Sequence, residues 1–213
     1  MHRFGLAFTL RCISTADARE PDGPPADPRE ARPVAPSRSG RLRRSSYCLA
    51  TADPAAGMVS FGVLTTWQGG TRTRATILPI RLGDSCLVRD FAIEADEPVE
   101  LLGTNKAPNP QELLLAALNA CLTATYAAHA AAMGIELISL TICTKGTLDL
   151  RGFLGIEPAI NPGYDRVEYE VKIESSAEKA ALERLHARAQ ATSPNFHNFA
   201  RAIELNARLS VLD

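Results

Sequence analysis

The chain has 213 residues, 46% hydrophobic and 22% charged, the profile of an ordinary globular protein with room for one large domain or two small ones. Its formal net charge of −1 argues against a nucleic acid or an anionic membrane surface as partner of the chain as a whole. Five cysteines, at 12, 48, 86, 121 and 143, are odd in number and form no CxxC pair, so they fit neither a disulfide framework nor a zinc ribbon and suit a reducing, cytoplasmic compartment.

Residues 1–57 hold nine arginines against six acids, with no lysine and half of the 14 prolines. The stretch from Glu20 to Ser46 has little apolar periodicity and is expected to be disordered. Phe4 to Leu10, between Arg3 and Arg11, weakly imitates a signal peptide, but the apolar core is short and Arg11 ends it. The expectation is a disordered extension over 1–57, or an overcalled start with Met58 as the real first residue, followed by one domain over 58–213.

Met58 to Trp67 alternates and reads as a strand, Gln68-Gly69-Gly70-Thr71 as a turn, and Arg72 to Leu82 as a second strand. Residues 86–95 read as a third strand and 103–108 as a loop. Asn109 is a good N-cap, Pro110 suits the first helical position, and Glu112 completes a capping-box spacing. The apolar run continues to Met133, where Gly134-Ile135 is a Schellman-type stop, so the helix is about 36 Å long. No unbroken apolar run of about 18 residues is read in the chain, so no membrane-spanning helix is expected. Leu137 to Asp149 reads as a strand, Phe153 to Tyr164 as a loop, and Arg166 to Ile173 as a half-buried strand. A helix opens with the capping-box spacing Ser175–Glu178 and runs to about Ala191. Ser193-Pro194 starts a short helix to about Ile203, and 204–212 alternates as a last strand. Strands and helices do not alternate strictly, which predicts an α+β fold with an antiparallel sheet.

The run Asn109-Pro110-Gln111-Glu112-Leu113-Leu114-Leu115-Ala116-Ala117-Leu118-Asn119-Ala120-Cys121 resembles the central helix of the OsmC/Ohr family. Trp67-x-Gly69-Gly70, Gly103-Thr104-Asn105, Gly134-Ile135, Leu148 to Gly152 and Asn161-Pro162-Gly163 extend the resemblance over about residues 60–212. It implies an intertwined homodimer with sheets wrapped around paired central helices. It also implies a thiol-dependent peroxidase for organic or fatty-acid hydroperoxides, without cofactor or metal. In that chemistry one cysteine becomes a sulfenic acid, a second forms a disulfide with it, and a dithiol restores both.

The resemblance assigns the attacking thiol to Cys121, whose i−3, i−4 and i−7 neighbours Leu118, Ala117 and Leu114 are apolar. The bland alternative is a buried small hydrophobe. The thiol lies three turns inside the helix, beyond help from the N-terminal dipole, and needs a cation. The family's arginine follows the Gly-Gly turn; Arg72 stands closest, and Arg74 shares its strand face. The family's acid after Asn-Pro is here Gln111, which carries no charge. Glu112 is rotated about 180° from Cys121 and is explained by capping. Where the family has its second cysteine, before a proline, this chain has Ser193, a good N-cap but no resolving thiol. Cys86 and Cys143 stay open as substitutes. His129, His186 and His197 have no metal-ligand spacing. Two functional readings follow: single-cysteine reduction of organic hydroperoxides with an external thiol reductant, or a non-catalytic member of the fold that binds an apolar ligand. A purely structural dimer is a third.

Overall fold

The computed structural model describes residues 57–83 and 85–212, so the expectation for residues 1–56 lies outside the described residues. The described residues form eight strands and four α-helices, all strand pairings among them being antiparallel. They are β1 (Val59–Ser60), β2 (Val63–Trp67), β3 (Thr73–Ile77), β4 (Ile80–Leu82), β5 (Ser85–Leu87), β6 (Ala92–Ala95), α1 (Pro110–Met133), β7 (Ser139–Gly146), α2 (Leu150–Phe153), β8 (Val167–Glu174), α3 (Lys179–Thr192) and α4 (Pro194–Ala200).

Each of the three N-terminal strands expected from alternation is broken in two, and the pieces are dealt into two sheets, ordered β1-β4-β5 and β2-β3-β6. Between β3 and β4 the break falls at Leu78-Pro79, because proline has no N–H for the ladder. Between β1 and β2 it falls at Phe61-Gly62; the Gly62 carbonyl accepts from Leu78 N–H at 2.9 Å, and a Cβ on Gly62 would lie 3.1 Å from Leu78 Cδ1. The β2–β3 hairpin turns as the sequence predicts. Gly69 and Gly70 take φ of +90° and +57°, and Trp67 Nε1 donates to the Gly70 carbonyl at 2.8 Å.

The long helix has the bounds and caps expected. Asn109 Oδ1 accepts from Glu112 N–H and Glu112 Oε2 accepts from Asn109 N–H, each at 2.8 Å. Gly134 closes it at φ +69°, and Ile135 N–H reaches back to the Ala130 carbonyl. Its 24 residues do reach the length and apolarity of a membrane span, contrary to the expectation from the run length. Here, however, Leu118, Leu122, Tyr126 and Ala130, spaced by four, bury one stripe against α3, α4 and β7. Leu185 and Ala189 of α3 complete the core, with the inner faces of β7 and β8 packed around it.

The β7–β8 ladder runs from Ser139 opposite Glu174 to Gly146 opposite Val167. A short helix, α2, fills the gap between the strand expected to end at Asp149 and the loop expected from Phe153; Asp149 caps it by accepting from Arg151 N–H at 2.9 Å. The capping box expected at Ser175–Glu178 does not form. The Ser175 hydroxyl donates instead to the Glu136 carbonyl at 2.6 Å and accepts from Ala177 N–H, so α3 starts at Lys179 with Glu178 as an N-cap that makes no side-chain bond. α4 stops at Ala200, short of Ile203. Residues 204–212 alternate as a strand would, yet pair with no strand among the described residues and lie exposed.

Candidate functional site

Cys121 sits on the flank of the buried stripe of α1, beside Leu118 and Leu122, and is half-buried. Leu114 and Ala117, expected on its inward face, are exposed within one chain. The helix carries the thiol to the start of α4. There the Cys121 sulfur lies 3.4 Å from Ser193 Oγ and receives the main-chain N–H of Asn195, also at 3.4 Å. Asn195 is itself fixed to α1, because its Nδ2 donates to the Ala117 carbonyl at 2.8 Å.

Ser193 caps α4 as its position before Pro194 predicts: its Oγ accepts from Phe196 N–H at 3.4 Å. Its side chain is wholly buried. The sequence identified the cap but not the contact with the thiol, since 72 residues separate Ser193 from Cys121. Neither other described thiol faces Cys121 within the chain. Cys143 points to the outer face of β7, opposite the face that packs on the core, and Cys86 is exposed on β5 opposite Arg81.

One turn before Cys121, Leu118 forms the floor of a pocket of about 240 Å³. Val167, Tyr169, Phe196 and Phe199 supply its apolar walls, and Arg166 stands at its polar side. Phe196 and Tyr169 meet edge to face with ring centroids 6.4 Å apart, and Tyr169 OH accepts from Gln190 Nε2 at 2.6 Å.

The other candidates stand apart from the thiol within one chain. Gln111 is half-buried in the first turn of α1, ten residues or about 15 Å before Cys121 along the axis. Arg74 lies opposite Glu94 in the β3–β6 register and pairs with it at 2.6 Å. Arg72, in the turn before β3, makes no hydrogen bond or ion pair through its guanidinium to a described residue. It borders a recess of about 50 Å³ with Asp96 and Lys106. The two arginines, equivalent in sequence, are thereby separated: Arg74 is engaged and Arg72 is available. Glu112 is engaged in the capping box.

Asp96 is the residue that sequence reading missed. It is 1% exposed, and its carboxylate accepts from the hydroxyls of Thr71 (2.7 Å) and Thr104 (2.6 Å) and from the N–H groups of Glu97, Thr104 and Lys106. The Thr104 hydroxyl first, then that of Thr71, holds its ionisation well below the usual carboxylate range. Asp96 thus ties the Gly-Gly turn beside Arg72 to the loop that leads into α1. The only sequence signal was an acid at a strand end with threonines 25 and eight residues away.

The family model described as OsmC-like protein matches residues 103–208. Among solved structures, an OsmC-like protein from Mycoplasma pneumoniae aligns with a TM-score of 0.52 at 18% identity, covering 66% of this chain and 87% of that one. An organic hydroperoxide resistance protein OsmC from Legionella pneumophila aligns at 0.42 and 18% identity, over 64% and 87%. OhrB, an organic hydroperoxide resistance protein of Bacillus subtilis, aligns at 0.41 and 13% identity, over 65% and 88%. No curated protein matches.

Proposed function

As the chain is a member of the OsmC-like family through residues 103–208, we propose that it is a redox protein that reduces organic hydroperoxides at Cys121 by a single-cysteine route. One observation carries this reading: the Cys121 sulfur accepts the Asn195 N–H and lies 3.4 Å from the Ser193 hydroxyl, one helical turn from an apolar pocket of about 240 Å³. In the first step the Cys121 thiolate attacks the outer peroxide oxygen. An S–O bond forms, the O–O bond breaks, and the alcohol leaves with the proton, so that thiol and ROOH become sulfenic acid and ROH. No second sulfur adjoins Cys121 among the described residues of the chain. A small external thiol therefore condenses with the sulfenic acid, releasing water and leaving a mixed disulfide. A second thiol molecule then displaces Cys121.

The functional unit in this reading is a homodimer. Val63, Leu64 and Trp67 on β2 are exposed, Trp67 by 71%, and their sheet makes no extensive contact with any helix of its own chain. Leu205 and Leu209 in the unpaired terminal segment are 88% and 90% exposed. Apolar surface on this scale, with an unpaired alternating segment, fits a second copy of the chain wrapped around the first. Arg72, unengaged within its own chain, then supplies the cation for the other copy's thiolate, with Gln111 as a neutral hydrogen-bonding partner. Free thiols at Cys86, Cys121 and Cys143 suit a reducing cytoplasm.

The test is to add one equivalent of cumene hydroperoxide to the reduced protein and follow Cys121 by mass spectrometry with dimedone trapping. Stoichiometric sulfenic acid at Cys121, absent in Cys121→Ser, is expected; an unreacted Cys121 sinks the proposal. Sedimentation at twice the chain mass is expected, and a monomer at micromolar concentration removes the role given to Arg72. The lack of an adjoining second sulfur and the pocket beside Leu118 also favour a second reading, a non-catalytic binder of an apolar ligand. That reading predicts equal ligand affinity for the parent and Cys121→Ser, with no peroxide turnover in either.

A further inference from the structure

We propose that Ser193 is a positioning residue for Cys121, its hydroxyl orienting the sulfur for attack before oxygen transfer and holding the sulfenate open afterwards. This rests on the peroxidase reading and names the group that regulates the fate of its intermediate. The argument starts from proton accounting. A serine hydroxyl has one hydrogen and two lone pairs. Phe196 N–H occupies one lone pair as the cap of α4. The hydrogen and one lone pair are left, and the Cys121 sulfur lies 3.4 Å away; toward a thiolate, which has no proton to give, only the hydroxyl can donate. Asn195 N–H addresses the same sulfur from the next turn, so two donors converge on one atom. Two donors on one sulfur fix the direction in which its free lone pair points.

Burial strengthens this. Ser193 is 0% exposed, so water does not compete for its hydroxyl, and Asn195 is pinned to the Ala117 carbonyl, so the cradle moves with α1. After oxygen transfer the same donors reach the sulfenate. Serine, being an alcohol, forms no disulfide with it, so the intermediate stays unresolved by its own chain. It is consumed by an external monothiol in two balanced steps. Sulfenic acid and thiol give a mixed disulfide and water; the mixed disulfide and a second thiol then give free Cys121 and the thiol's own disulfide. Ser193 thereby decides between a closed intramolecular disulfide and an open intermediate that a small thiol must clear.

The experiment compares the parent with Ser193→Gly, Ser193→Thr and Ser193→Cys, all as the full chain. Glycine at an N-cap costs the helix only a few tenths of a kcal/mol, so Ser193→Gly removes the hydroxyl with little loss of helix stability. Iodoacetamide alkylation of Cys121 reads the sulfur without any peroxide. Ser193→Gly is expected to alkylate about tenfold more slowly, the loss of one hydrogen bond to a charged group, and Ser193→Thr to recover most of the rate. With cumene hydroperoxide, the dimedone-reactive lifetime of Cys121 is expected to shorten by a similar factor in Ser193→Gly. Ser193→Cys, oxidised with diamide, is expected to close an intrachain disulfide to Cys121, since the Ser193 oxygen that the new sulfur replaces lies 3.4 Å from the Cys121 sulfur.

Alkylation of Ser193→Gly within twofold of the parent, with the far-UV spectrum unchanged, overturns the proposal. So does a Ser193→Cys protein that closes no disulfide, which covers the case of a glycine variant that fails to fold. A parent inert to peroxide whose alkylation still responds to Ser193→Gly defeats the peroxidase reading and keeps the positioning role. A parent oxidised at Cys121 with rates indifferent to position 193 does the reverse.

Discussion

Replacing Tyr126 by Phe tests the core of this protein in two pH regimes at once. Tyr126 is completely buried on the inner stripe of α1, and its hydroxyl is hydrogen-bonded to Nδ1 of His186 on α3. Burial, with a smaller push from Tyr169, raises its ionisation from 10.0 to about 12. Near neutrality Tyr126→Phe removes one hydrogen bond and no packing volume of consequence, a loss of about 1 kcal/mol. His186 is only half-buried, so its nitrogen can turn to water. At high pH the sign reverses. Between pH 10 and 12 the unfolded chain has lost the phenolic proton while the folded chain keeps it. The unfolded state then binds fewer protons, and stability falls as pH rises. The full two-unit shift corresponds to about 2.7 kcal/mol, reduced to about 1–2 kcal/mol by solvent screening at the His186 end. Phe has no such loss, so the parent's advantage shrinks through pH 10–12 and the two stabilities converge or cross. Urea unfolding followed by circular dichroism, at fixed protein concentration and with reductant present, from pH 7 to pH 11.5, measures both effects. Parallel alkaline limbs for parent and variant would refute the claim that the fold holds this phenol neutral.

Three further outcomes are expected. Leu122→Ala, which empties a wholly buried position between α1 and α3, should cost about 2–5 kcal/mol in urea unfolding, whereas a loss below about 1 kcal/mol would mean that the core collapses to fill the site. Asn109→Ala, which removes the acceptor of the Glu112 N–H, should cost about 1 kcal/mol and lower the melting temperature, and an unchanged melt would show that the capping box is dispensable. The carboxylate of Asp96 titrates below its usual range in the fold, so its contribution is intact above about pH 4 and is lost as pH falls further. Melting curves from pH 6 to pH 2 should therefore show a shallower acid limb in Asp96→Asn than in the parent, and identical limbs would contradict the hydrogen-bond network drawn around it.

Features governed by neighbours in the chain were legible before the fold was known. The bounds of α1 follow from Asn109, Pro110, Glu112 and Gly134, because caps act over three or four residues. The Gly69-Gly70 turn and the alternation of β8 are local in the same sense. Errors arose where a local signal met a distant competitor. The Ser175–Glu178 spacing looks like a capping box, but the Ser175 hydroxyl is taken by the Glu136 carbonyl 39 residues away. The first three strands alternate well enough to read as continuous, yet Gly62 and Pro79 let the chain step from one sheet to another. Residues 204–212 alternate like a strand and have no partner strand among the described residues, since strand formation depends on a neighbouring edge as much as on the pattern.

The candidate site divides along the same line. Sequence alone determined that Cys121 rides on a capped long helix and that Ser193 starts a helix before Pro194, and the resemblance to the OsmC/Ohr family implied that Ser193 and Gln111 stand where that family has its second cysteine and its acid. Those are statements of identity and local order. Only the tertiary structure decided that Ser193 and Asn195 lie on the Cys121 sulfur, that Arg74 is engaged by Glu94 while Arg72 is not, and that Asp96 gathers five donors in the loop before α1. Each of these joins residues at least eight and up to 74 positions apart, except the Asp96 bond to the next residue. At such separations it is chain packing, not sequence spacing, that sets which polar atom meets which.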